Sequence, residues 1–406
     1  MTPEELRAAG RLGGHAFSGI VSRVEQVHRA VAARAFGPAG PSGAPARLIH
    51  DAVARGVYLA VRGGGTAAGA IGGEATSLLA TGGRPAGSAP AGNLALGALN
   101  AVAGDRLGVG PDPLAIRMAV RVAGRDVGPA PRELAAAFPD ATPRLAVFAH
   151  GLAETEDSWQ RRGGECVPYG ERLRAEFGYT PVYLRYNTGR HVSDNGRDLA
   201  SLLGRLAEAW PGGVDELLLV GHSMGGLVIR SACHHGNQDC MPWVRRVRHV
   251  FYLGSPHLGA PLARAAGLLG WVFGRFAETR PLAGLVNGSS AGIKDLRYGY
   301  LLEDDWSGCD LDDCLRDHRG DTALLEGANH YTISATVTGN PGSPAGAVVG
   351  DLLVQPGSAH GRRGLRQLIP FSLDSGRELG GMHHFDLLNH AAVWTAMRGL
   401  LMGGQQ

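Results

Sequence analysis

Ser223, Asp351 and His384 have the residue types that covalent chemistry at a hydroxyl requires. A serine hydroxyl attacks a carbonyl only when it is held near a base and aimed at a site that stabilises an oxyanion. Histidine is the side chain whose unperturbed pKa suits that base. A carboxylate must then fix its tautomer and stabilise the imidazolium that forms. Ser223 stands in Gly221-His222-Ser223-Met224-Gly225-Gly226. A sharp turn from strand to helix exposes such a serine but brings neighbouring chain close, so a Cβ at 221 or 225 would clash. The chain holds 63 glycines, so this spacing alone is a moderate signal and its context decides.

Other residues compete for each role. Asp374 is a rival acid to Asp351, and His383 an alternative base to its neighbour His384. His222, His257 and His390 read as hydrogen-bonded scaffold groups. The pair His234-His235 lacks the company a metal site needs, so no metal is expected. The acidic run from Glu303 to Asp317 lacks the full spacing and the closing glutamate of a calcium loop and reads as solvated.

The elements around these residues form a regular alternation. Leu217-Leu218-Leu219-Val220 is apolar without alternation, as expected of a strand covered on both faces. A helix follows through Leu227 to Cys233, starting at Met224. Leu114–Val122 reads as a half-exposed first strand and Leu145–Ala149 as a buried one running into His150-Gly151-Leu152. Thr180–Tyr186, Arg248–Gly254 and Tyr331–Thr338 are further strands, with helices over Pro131–Phe138 and Arg197–Trp210. Val348–Val354 places Asp351 just beyond a strand end. Strands alternating with helices imply parallel βαβ units, with ligands at the carboxyl ends of the strands. There the amides of Leu152 and Met224 could face a developing oxyanion.

Two regions stand apart. Residues 262 to 300 form an insertion whose apolar run Leu268 to Phe276 suits either a core helix or a lid over an acyl site. Residues 1 to 113 are rich in Ala and Gly and broken by Pro/Gly clusters, with amphipathic helices expected near 19–36, 46–61 and 94–102. Their role is open; contact with a lipid surface or a partner protein is one use of such helices. Val57 to Gly69 invites comparison with a dinucleotide loop, but no acidic residue follows about 20 positions on to hold a ribose. The domains expected are therefore 1–113, helical, and 114–406, catalytic.

Composition narrows the classes. The chain has 406 residues, 44% of them hydrophobic, with a formal net charge of +2, which provides a large core and no basic footprint for nucleic acid. No run of about 18 apolar residues predicts a spanning helix. The first residues lack the basic start and apolar run of a secretory signal, so a cytoplasmic location is expected. Five cysteines then read as free thiols, with Cys233–Cys240 and Cys309–Cys314 as pairings only for an exported chain.

Residues 114 to 400 resemble α/β-hydrolases of the bacterial lipase and esterase type, including relatives of the GPI inositol-deacylase catalytic domain. The matching pieces are His150-Gly151-Leu152, Tyr186 to Gly196, Gly221 to Gly226, Leu253 to Ala260, Gly350 to Val354 and His384-Phe385-Asp386-Leu387-Leu388. The resemblance implies an α/β-hydrolase fold: a mostly parallel sheet with helices on both faces, plus the N-terminal helices and lid-like insertion. It implies Ser223 as nucleophile, His384 as base, Asp351 as acid, and Leu152 and Met224 as the oxyanion hole. In some lipases the aspartate matching Asp386 binds a structural calcium ion; a carboxylate at a helix N-terminus is the plainer reading. No cofactor is expected. The expected activity is cleavage of carboxylic esters, of lipids or other acyl groups. A thioesterase, amidase, acyltransferase or polyester depolymerase would use the same machinery, and a non-catalytic binding module would keep only the fold.

Overall fold

The computed structural model describes residues 1–36, 44–79, 83–107, 110–160, 167–260, 290–308 and 317–403. These fall into two compact units; the smaller comprises Met1–Ser88 and Gly110–Leu114.

The smaller unit is a hairpin of two long helices, α1 (Pro3–Phe36) and α2 (Ala44–Leu79). Both extend beyond the helices expected from periodicity. The glycine-rich stretch at 63–65 lies inside α2 and is no phosphate loop. A mid-helix glycine costs about 1 kcal/mol against alanine. Close approach explains its use here: a Cβ on Gly10 would stand 2.5 Å from Gly73 Cα, and one on Gly69 2.8 Å from Gly14 Cα. Glu25 is buried in the hairpin and pairs with both Arg29 and Arg62.

The larger unit is organised by an eight-stranded sheet in the order β2-β1-β4-β3-β5-β6-β7-β10. Its strands are β1 (Ala119–Val122), β2 (Arg125–Val127), β3 (Arg144–Ala149), β4 (Thr180–Arg185), β5 (Glu216–His222), β6 (Val247–Leu253), β7 (Asn329–Thr336) and β10 (Gly376–Gly380). The short β8 (Arg362–Arg363) and β9 (Arg366–Gln367) form a separate hairpin. The six strands from β4 to β10 pair in parallel, and β1 joins antiparallel to β4 and β2. The first strand is shorter than expected and begins at Ala119.

Why the central residues of β3 and β5 are apolar is plain from the two cores. Leu145, Val147, Leu217 and Leu219 face one side, against α6 (Val192–Ala209) through Leu199 and Leu203 and against α7 (Met224–Gln238) through Leu227 and Val228. Ala146, Phe148, Leu218 and Val220 face the other, with Trp159, Leu173 of α5 (Tyr169–Phe177), and Trp394 and Met397 of the C-terminal helix Ala391–Gly403. Each fully buried leucine contributes roughly 1.5–3 kcal/mol, so a strand with both faces covered is stabilised from both sides.

Helix α3 (Pro90–Leu107) lies in the larger unit, upstream of residue 114 where the sequence places the boundary. Asn100 fastens it: its side chain donates to the Leu96 carbonyl and accepts from the Ile116 amide at 2.9 Å each. Asn187 donates to the Gly104 carbonyl at 2.9 Å.

One strand expectation is corrected. Pro344–Val349 is a helix capped by the Ser343 hydroxyl, which accepts from the Gly346 amide, and Val348 and Val349 are exposed. Positive φ at Gly350 (60°) and Leu352 (82°) rules out a strand through Asp351. Residues 261–289, which hold most of the expected lid, and residues 309–316 of the acidic run lie outside the described residues. No described helix is long and apolar enough to cross a membrane. Among the described residues no group of three His, Cys, Asp or Glu could hold a metal, and Cys233 and Cys240 are both free thiols.

Candidate active site

Ser223 is the turn residue between β5 and α7, with φ 51° and ψ −121°. A non-glycine residue in that region is strained, and the surrounding packing must hold it there. Two glycines make the packing possible. A Cβ on Gly221 would stand 2.5 Å from Gly226 Cα, and one on Gly225 only 2.1 Å from the Ala149 carbonyl oxygen. The Ser223 amide donates to the Leu253 carbonyl at 2.8 Å, which ties the turn to the end of β6. The half-buried side chain sits at the start of α7, where the first amides have no intrahelical acceptor and the dipole is positive.

His384 and Asp351 come together from separate loops. His384 Nδ1 lies 2.7 Å from Asp351 Oδ2, and both residues are buried. The other carboxylate oxygen accepts from the amides of Leu353 (3.0 Å) and Val354 (2.8 Å), which fixes its direction. Burial pulls the His384 imidazole down, but the charge and hydrogen bond of Asp351, with a contribution from Glu154, outweigh it and the pKa is raised. The ring converges on the serine turn from the β6 side. A Cβ on Gly254, next to the Leu253 that receives the Ser223 amide, would stand 3.1 Å from His384 Cε1. On the β5 side the His222 ring lies 4.7 Å from the His384 ring.

The loop after β3 closes the arrangement. A Cβ on Gly151 would stand 3.0 Å from Ser223 Cβ, so this loop runs directly over the serine. The loop is anchored at His150, buried and stacked on Tyr186 at 4.4 Å, with the Tyr186 hydroxyl donating to the His150 carbonyl at 2.6 Å. The amide of Gly151 donates to Glu154, that of Ala153 to Thr188, and that of Glu154 to the Gly151 carbonyl. The Leu152 amide meets no acceptor among the described residues. The Met224 amide stands first in α7, at the N-terminal end of the helix.

The rivals separate from the centre. His383 is half-exposed and faces Asp386, whose carboxylate accepts from the His383 amide at 2.9 Å, capping the turn at His384–Leu388. Asp374 is exposed. His257 is fully buried against Arg230. His390 bonds the Ala392 amide at the start of the last helix.

Sequence reasoning passed over Glu154. It is buried, and its carboxylate lies 3.0 Å from His222 Nδ1. Its position four residues after His150 was the available signal, but an acidic residue in a loop reads as solvated unless its burial is known.

A family model described as a PGAP1-like alpha/beta domain matches residues 187–308. No curated protein matches the chain. Among solved structures, the chain is similar to a lipase from Bacillus licheniformis in its mature form, at 21% identity over 64% of this chain and 91% of that one, with a TM-score of 0.42. In the propeptide form of that lipase the same identity and TM-score span 64% of this chain and 50% of that one. A thioesterase from the prodiginine pathway of Streptomyces coelicolor is 20% identical over 66% of this chain and 91% of that one, with a TM-score of 0.36.

Proposed function

The chain has the α/β-hydrolase fold, and from that premise we propose that it is a serine hydrolase cleaving carboxylic esters of lipids or other acyl groups. Two observations support this reading together: the buried Asp351–His384 pair, whose ring lies against Gly254, and the strained Ser223 turn, whose amide is bonded to the preceding residue Leu253.

In this reading the Ser223 hydroxyl attacks the ester carbonyl carbon while His384 Nε2 takes its proton. Asp351, bonded to Nδ1, stabilises the imidazolium without becoming protonated. The oxyanion accepts from the Leu152 and Met224 amides. The tetrahedral intermediate collapses, the carbon–oxygen bond to the alcohol breaks, and His384 returns the proton to the departing alkoxide. Water then repeats the sequence on the acyl-serine, releasing the acid and restoring the hydroxyl. Each hole donor of this kind is worth about a hundredfold to a thousandfold in rate.

A fluorophosphonate probe tests the nucleophile by itself. Peptide mapping should place the phosphonyl group on Ser223, and preincubation with an ester substrate should slow labelling. A label on another serine, or none on the folded protein, would contradict the proposal.

A further inference from the structure

Two buried titratable residues beside the centre have no part in the steps above. Glu154 comes from the loop after β3 and His222 from the end of β5, and both are buried. One oxygen of the Glu154 carboxylate accepts from the Gly151 amide at 2.8 Å and from His222 Nδ1 at 3.0 Å. The other ring nitrogen of His222 lies 3.2 Å from the carbonyl oxygen of His384. From these contacts we infer that Glu154 and His222 are positioning residues, an ion pair that locks the oxyanion loop, the nucleophile turn and the base loop to one another.

The charge state follows from the partners. A carboxylate oxygen and a backbone carbonyl both only accept, so both nitrogens of His222 must donate. A neutral imidazole could serve one of the two. The inferred lock therefore has His222 donating from both nitrogens, as an imidazolium does. Burial pushes the Glu154 carboxyl up, but the His222 charge, its hydrogen bond and the Gly151 amide outweigh this and hold it down at about 2.

Stability does not account for such a pair. A buried ion pair is often no more stabilising than apolar side chains of the same volume. Geometry does account for it. Gly151 immediately precedes Leu152, so fixing the Gly151 amide fixes the proposed hole donor. His222 immediately precedes Ser223, and the third contact falls on His384 itself. A shift of about 1 Å among reacting groups costs on the order of a hundredfold in rate. The titratable groups facing the pair are His384 from the base loop, His150 from the end of β3 and Tyr186 after β4; Asp351 faces His384 from its far side.

This inference rests on the proposed hydrolase reading for its kinetic consequence, though not for its structural one. The test is nitrogen NMR of the His222 ring in the full-length protein, with ester kinetics of Glu154→Gln. Glutamine keeps an oxygen that can accept both bonds and removes only the charge. The expected results are a doubly protonated His222 ring at neutral pH in the wild type, loss of one ring proton in Glu154→Gln, and kcat lowered about tenfold or more with KM within about twofold. A singly protonated His222 in the wild type, or a Glu154→Gln variant with wild-type kcat, would overturn the inference. Should Glu154→Gln fail to fold, the wild-type ring nitrogens and the kcat of Glu154→Asp decide it. Turnover that survives Ser223→Ala would sink the hydrolase reading instead, and would leave the ring-nitrogen result standing.

Discussion

His384 and Asp351 are tied twice: the imidazole Nδ1 lies 2.7 Å from the carboxylate, and the His384 amide donates to the Asp351 carbonyl at 3.1 Å. The backbone bond fixes where the histidine loop meets the acid loop, and the side-chain bond engages Nδ1 and leaves Nε2 as the other ring nitrogen. Orientation and tautomer are thus set by the same pair of residues.

That arrangement dictates a pH dependence. In the proposed mechanism the base acts only when neutral, so kcat/KM should fall as pH drops through the raised pKa of His384. Replacing Asp351 with asparagine removes the negative charge that raises it. The acid limb should therefore move to lower pH, while kcat falls by about ten-thousandfold through the wrong tautomer. An acid limb that stays in place in Asp351→Asn would separate His384 from the rate-controlling ionisation.

A second pH effect belongs to the fold. His330 and His360 are buried, and burial lowers each from 6.5 to about 4. His360 lies between the hydroxyls of Thr332 and Ser334, and His330 between Tyr252 and the Leu325 carbonyl. Below 6.5 the unfolded chain binds protons that the folded chain refuses. Stability is then full above 6.5 and declines as pH falls towards 4, by on the order of 3 kcal/mol per histidine. Urea midpoints across this window should fall steeply in the wild type and less steeply in His360→Gln. Equal slopes would remove His360 from the account.

The serine turn makes a steric prediction. A Cβ at 225 would stand 2.1 Å from the Ala149 carbonyl and 2.6 Å from that of His150, backbone atoms that cannot rotate away. Gly225→Ala should cost about 1–3 kcal/mol in urea unfolding as the β3 loop is forced off the turn. Ester turnover should fall by more than that loss of folded protein explains. Wild-type stability with full activity would mean that the turn is looser than its contacts indicate.

Much of this was legible in the sequence because the relevant signals are local. Leu217 to Val220 are apolar on both faces, so their run announced a covered strand, and Gly221 and Gly225 announced the turn. The strand expected at Val348–Val354 failed because its apolar residues were read without the Ser343-Pro344 helix start just before them, a capping signal of opposite meaning. The helices α1 and α2 run longer than their periodicity because glycines that weaken a lone helix strengthen a pair that packs backbone on backbone. Glu154 was hidden for a different reason. Its meaning depends on His222, 68 residues away, and no local pattern joins an acid in one loop to a histidine in another.

The central claim is that Ser223 is the nucleophile of an ester hydrolase, and turnover of p-nitrophenyl esters by Ser223→Ala tests it most directly. The account predicts that hydrolysis disappears while the circular dichroism spectrum stays that of the wild type. Hydrolysis that persists in a folded Ser223→Ala protein would contradict it.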